Sequence, residues 1–108
     1  MLKSIRDGDR VIVRLDGELD HCCAQSVRRQ LDLLLATPAV RNLVLDFSGL
    51  SFMDSSGIGV LLGRYRLLHE RGGSMAVIHM NEHVERIFHM SGLDRVIVNL
   101  DRLQEARL

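Results

Sequence analysis

Asp54-Ser55-Ser56-Gly57 is the stretch of this chain whose residue types and spacing can do chemistry. It precedes an apolar run of helical period, Ile58, Leu61, Leu62, Tyr65 and Leu68, so it falls at a predicted helix N-terminus. The plainest task for a serine there is to cap orphan backbone N–H groups. Other features suggest more. The connection before it, with Leu50, Phe52 and Met53, is unusually apolar for a surface loop. Gly57, Gly59 and Gly63 leave one stripe of the helix bare, for close approach of a partner's backbone or for tight packing on the sheet. The chemistry that suits Ser55 is phosphoryl acceptance. The helix dipole and free amides favour an anion by about 0.3–2 kcal/mol, so a phosphate would not unfold the domain. Nearly two added charges beside Asp54 would, however, repel a docked protein surface.

Other chemistries fit poorly. Ser55 is not in a Gly-x-Ser-x-Gly elbow, and no histidine has a spacing that marks it as a base. Gly57-Ile58-Gly59 followed by Gly63 superficially resembles a dinucleotide fingerprint, but the last spacing is wrong and the glycines lie inside the helix. His21-Cys22-Cys23 are adjacent residues that do not converge easily on one ion, and His79 and His83 straddle a predicted helix start. No catalytic residue, cofactor or metal is expected.

The elements that position Ser55 alternate in type. Residues 10–16 read as a strand, preceded by a short strand over 2–6 and an Asp7-Gly8-Asp9 turn. Residues 22–36 read as a helix ended by Thr37-Pro38, and 42–47 as a strand buried on both faces. A loop is predicted over 48–54, then a helix from about Ser56 to His69, stopped by Gly72-Gly73. A strand over 74–79 follows, then a helix capped by Asn81 and stopped by Ser91-Gly92-Leu93. Val96–Val98 reads as the last strand and 101–107 as a short helix. This order predicts one α/β domain over 1–108, a mostly parallel mixed sheet of 4–5 strands with crossover helices. Sites in such sheets form where strands end and helices begin, which selects the loops at Gly17–His21 and Phe52–Gly57.

Composition sets the partners. The 108 residues are 46% hydrophobic, ordinary for a globular domain, and 14 basic residues balance 14 acidic ones. Zero net charge argues against direct nucleic-acid binding. No apolar run has signal-peptide or membrane-spanning length, and Cys22 and Cys23 are too close for an unstrained disulfide. The expectation is a cytoplasmic protein with reduced thiols, no membrane partner and, by default, a monomer.

Gly17-Glu18-Leu19-Asp20-His21, the run from Leu50 to Tyr65, and Met90-Ser91-Gly92-Leu93 closely resemble the anti-sigma factor antagonists of the STAS domain family, most strongly its sporulation members. The resemblance covers nearly the whole chain. It implies a partner switch without catalysis of its own. The unphosphorylated form binds a dimeric anti-sigma factor serine kinase and frees a sigma factor. Phosphorylation, mapping to Ser55, ends the interaction, and a serine phosphatase restores it. It also implies that Asp20, His21, Asp54, Ser55, Ser56, Gly57 and Ile58 contact the partner. The family often has polar residues or a second histidine where this chain has Cys22-Cys23. Two other readings are a STAS scaffold or antagonist in another pathway, such as the general stress response, and a small nucleotide-binding protein.

Overall fold

The computed structural model of the chain describes the backbone of residues 2–107 and the side chains of residues 2–103. Strands β1 (Leu2–Asp7) and β2 (Arg10–Leu19) form an antiparallel hairpin through a turn at Gly8 and Asp9. Helix α1 (Ala24–Leu34) leads to β3 (Asn42–Met53), then come α2 (Ser55–Glu70), β4 (Ser74–Ile78) and α3 (Glu82–Met90). A 3-10 turn (Leu93–Arg95), the short β5 (Val98–Asn99) and α4 (Leu100–Arg107) close the described chain. The sheet order is β1-β2-β3-β4-β5, with every pairing after the hairpin parallel.

Alternation along the strands sets the core. Val11, Val13 and Leu15 of β2, Leu43, Leu45 and Phe47 of β3, and Met75 and Val77 of β4 are buried on one sheet face. Leu31 of α1, Leu61 and Leu68 of α2, and Val84 and Phe88 of α3 are buried with them in the same cluster. α2 packs on β3 and β4 and also against α1, which fixes its N-terminus at the rim where β2 and β3 end. Its other end closes with a left-handed Gly72 (φ +73°): the Gly73 N–H donates to Leu68 O (2.8 Å) and the Gly72 N–H to His69 O (3.0 Å).

Several boundaries differ from the sequence expectation, each for a local reason. The predicted loop over 48–54 is extended backbone almost to its end, because β3 runs on to Met53 beside β2. Two register shifts in that pairing, between Arg14 and Asp16 and between Gly17 and Glu18, bend the strands without ending them. Gly17–Leu19, expected in a rim loop, are therefore the end of β2. α1 starts at Ala24 rather than residue 22, because Asp20 Oδ1 accepts the Cys22 and Cys23 N–H groups and holds a turn there. The last strand lies at Val98–Asn99, since Leu93–Arg95 form the 3-10 turn and the Asn99 side chain caps α4.

Candidate functional site

The rim is built from two strand ends and two helix starts. Leu19 pairs with Met53, and the Asp54 N–H donates to Leu19 O at 3.3 Å. Asp54 is the N-cap of α2: its Oδ1 accepts the Ser56 N–H (2.8 Å) and, at longer range, the Gly57 N–H (3.4 Å). Its Oδ2 accepts the His21 N–H at 3.2 Å, tying the segment after β2 to the start of α2. The His21 ring Nδ1 lies 3.8 Å from the same carboxylate and is largely exposed.

Because Asp54 does the capping, Ser55 is not needed for it. Ser55 is the first residue of α2 and is exposed, and among the described residues its hydroxyl has no hydrogen-bond partner. Ser56 is half-buried and lines the groove between α1 and α2. Asp20 holds the facing turn. Burial pushes its carboxyl up, but the Cys23 amide, the Glu18 side chain and the Cys22 amide together hold it below the ordinary aspartate value. It is therefore an anion at neutral pH.

The structure brings Asp20, His21, Asp54, Ser55 and Ser56 to one rim and divides the rest. Gly57 is buried, and Ile58 is half-buried against the core. A Cβ on Gly57 would lie 2.6 Å from Met53 Cγ and 2.7 Å from Leu19 O, so this glycine serves packing. The bare surface stripe is thus Gly59 and Gly63, where a Cβ would meet nothing within 4 Å.

Those two glycines open into a groove of ≈ 560 Å³ between α1 and α2, lined also by His21, Gln25, Arg28 and Arg64. The sequence reading did not select Arg64, although a charge in the apolar run of α2 was a visible signal. Its side chain is only 10% exposed. Nε lies 3.0 Å from Asp32 Oδ1 on α1, near enough for an ion pair but off line for a hydrogen bond, so Nε and Nη1 lack hydrogen-bond partners. Phe52, 38% exposed, stacks on His83 with ring centroids 5.1 Å apart, extending the rim with an aromatic surface. Asn81 Nδ2 donates to Leu50 O at 3.0 Å and fastens the β3 extension to the start of α3.

Among the described residues, no cluster of three or more His, Cys, Asp or Glu is placed to hold a metal ion, and no helix is long and apolar enough to cross a membrane. The arrangement can present a modifiable hydroxyl beside a fixed carboxylate at the exposed end of the sheet.

Asp54→Ala is expected to lower unfolding free energy by about 1.5 kcal/mol, combining loss of the N-cap with loss of the bond from His21. Asp54→Asn should cost about half of that, since one amide oxygen can cap α2 but cannot also serve the His21 N–H. Urea unfolding of the two variants checks the ratio.

The chain matches the STAS domain family model over residues 2–106. It is 47% identical over 87 residues to an anti-sigma F factor antagonist of Paenibacillus polymyxa, spanning 81% of this chain and 74% of that protein. The unphosphorylated form of the anti-sigma factor antagonist SpoIIAA superposes with a TM-score of 0.80 at 30% identity, over 99% of this chain and 96% of its own. The phosphorylated form of SpoIIAA, a Bacillus cell fate determinant, superposes with a TM-score of 0.73 at 30% identity, over 95% of this chain and 99% of its own.

Proposed function

Because the chain belongs to the STAS domain family, we propose that it is an anti-sigma factor antagonist of the sporulation type, switched off by phosphorylation of Ser55. Unphosphorylated, it docks through Asp20, His21, Asp54, Ser55 and Ser56, with Gly57 and Ile58 setting the pitch of α2 beneath them. Its partner is a dimeric anti-sigma factor that is also a serine kinase, and docking releases the sigma factor in the cytoplasm. Phosphoryl transfer from ATP to Ser55 ends the complex, and a serine phosphatase returns the protein to the binding form. The protein is the substrate in this cycle and catalyses no step of it.

One observation carries the reading: the exposed Ser55 hydroxyl has no structural duty, since Asp54 already caps α2. A phosphate on it would stand at the positive end of a 16-residue helix, where the fold tolerates it. It would also stand beside the Asp54 carboxylate on the docking surface, where a partner must desolvate it. The modification therefore acts on binding far more than on folding.

The test is incubation with the candidate anti-sigma kinase and ATP, followed by peptide mapping. One phosphate is expected, on Ser55. Ser55→Ala should take none and still dock. Label on another residue, or docking that survives phosphorylation undiminished, would overturn the proposal.

A further inference from the structure

β1 forms one edge of the sheet, paired with β2 alone, and every residue from Lys3 to Asp7 is exposed. It carries neither proline nor a register shift, two devices that blunt a free edge. We propose that this edge pairs with the same edge of a second copy of the chain, antiparallel about a two-fold axis at Ile5, joining the two sheets into one. The surface is separate from the Ser55 rim and does not rest on the antagonist reading.

Backbone alternation limits the registers. Left-handed Gly8 (φ +64°) opens a two-residue turn between Asp7 and Arg10, so those two close the hairpin as a hydrogen-bonded pair. Counting back from Asp7, the N–H and C=O groups of Ile5 and Lys3 also face β2, while those of Leu2, Ser4 and Arg6 face outward. A second β1 must meet these outward groups with its own. With the axis at Ile5, Ser4 of each copy exchanges bonds with Arg6 of the other. Ile5 then faces Ile5, and Lys3 faces Asp7 on both sides of the axis. An axis at Ser4 sets Lys3 against Ile5, while an axis at Lys3 or Arg6 sets that cation against itself. The charges thus select one register. Lys3 has no ion pair among the described residues, and Asp7 shares only an exposed contact with Arg10 at 3.0 Å. Exposed charge pairs add little energy, so they specify the register, while the backbone bonds and Ile5 hold the copies together.

The apolar surface agrees with that axis. Val11, Val13 and Leu15 turn to the helix-covered face, so Ile5, opposite Ile12, stands on the other. Strand register continues the row as Ile5, Ile12, Val44, Ala76 and Val98 across the whole sheet. The expectation of a monomer rests on finding no apolar stripe left over, and a row assembled from five strands does not show in the linear sequence. Ile5 is its most exposed member, at 69%. Facing Ile5 of the second copy covers it and makes the two rows continuous. The axis also sets β2 of one copy antiparallel to β2 of the other, so the two Ser55 rims point in opposite directions and stay open.

The full chain is followed by sedimentation equilibrium from about 10 µM to 1 mM, a range that reaches weak self-association. The wild type is expected to shift from monomer to dimer. Lys3→Asp sets two carboxylates opposite each other and Asp7→Lys two ammonium groups, so each variant alone should self-associate at least about 10-fold more weakly. An equimolar mixture of the two should recover wild-type association, because each supplies the charge the other lacks. A wild type that stays monomeric, variants that dimerise as well as it does, or a mixture no more associated than its parts overturns the proposal. Ile5→Cys and Ser4→Cys, each in a Cys22→Ser, Cys23→Ser background, test the pairing without altering a charge, and they decide it if a charge variant fails to fold. Mild oxidation should cross-link two copies through Ile5→Cys, whose Cα atoms face each other at about 4.5 Å, and not through Ser4→Cys. No cross-link through Ile5→Cys, or equal cross-linking through both, overturns the pairing.

Discussion

Ser55→Asp is expected to weaken docking to the anti-sigma kinase by about 100-fold, or ~2.7 kcal/mol, while leaving the melting temperature nearly unchanged. The two halves of that expectation come from one location. At the first residue of α2 a carboxylate gains about 0.3–1 kcal/mol from the helix dipole and loses a similar amount to the Asp54 carboxylate next to it, so folding is close to neutral. In the complex the same group must leave water without a counter-charge from its own chain. Among the described residues, the basic side chain within ion-pair distance of Asp54 is the exposed His21 ring. A phosphoserine, with a charge of about −1.5 to −2, should exceed the aspartate effect. Ser55→Asn is the control for shape, since it matches aspartate in size and carries no charge. Isothermal titration of Asn, Asp and wild-type proteins separates the causes. If Asn loses as much affinity as Asp, bulk rather than charge governs the rim and the electrostatic account is wrong.

The chemistry-bearing motif was legible because it is local. Asp54-Ser55-Ser56-Gly57 followed by an apolar run of helical period describes a capped helix start, and α2 begins at Ser55, one residue before the expected Ser56. Composition alone could not assign the cap. Asp54, Ser55 and Ser56 each have a side chain suited to capping, and only the geometry gives the duty to Asp54 and frees Ser55. The alternating α/β order was equally readable, since buried parallel strands write themselves as continuous apolar runs. The extension of β3 was not. Ser48-Gly49-Leu50-Ser51 has loop composition, yet its backbone is satisfied by β2 across two register shifts and by the side chain of Asn81. Both partners lie about 30 residues away in the chain, beyond the reach of a local pattern. The link from His21 to Asp54 spans 33 residues and is hidden for the same reason. Arg64 shows the converse failure. Its position in an apolar helix was visible, but that it reaches Asp32 on α1 and lines a groove follows only from the packing of the two helices.

The glycines of α2 look alike in sequence, and packing assigns them opposite consequences. Gly57→Ala is expected to destabilise the protein by about 2–3 kcal/mol, although alanine is the better helix former by about 1 kcal/mol. The added methyl would lie 2.6 Å from Met53 Cγ and 2.9 Å from Leu19 Cγ, both in fully buried side chains with no room to move. It would also lie 2.7 Å from Leu19 O, which cannot retreat without losing the Asp54 N–H that it accepts. The first turn of α2 must therefore lift, carrying Asp54, Ser55 and Ser56 with it, so docking and phosphorylation by the kinase should fall together with stability. Gly59→Ala meets nothing within 4 Å and should raise stability by up to ~1 kcal/mol. Its methyl stands in the groove between α1 and α2, so any loss it causes in docking arises without a loss of fold. Thermal unfolding and kinase titration of the two variants give four signs. If Gly57→Ala is as stable as the wild type, the close approach of α2 to the ends of β2 and β3 does not hold Ser55 at the rim, and the positioning argument fails at its base.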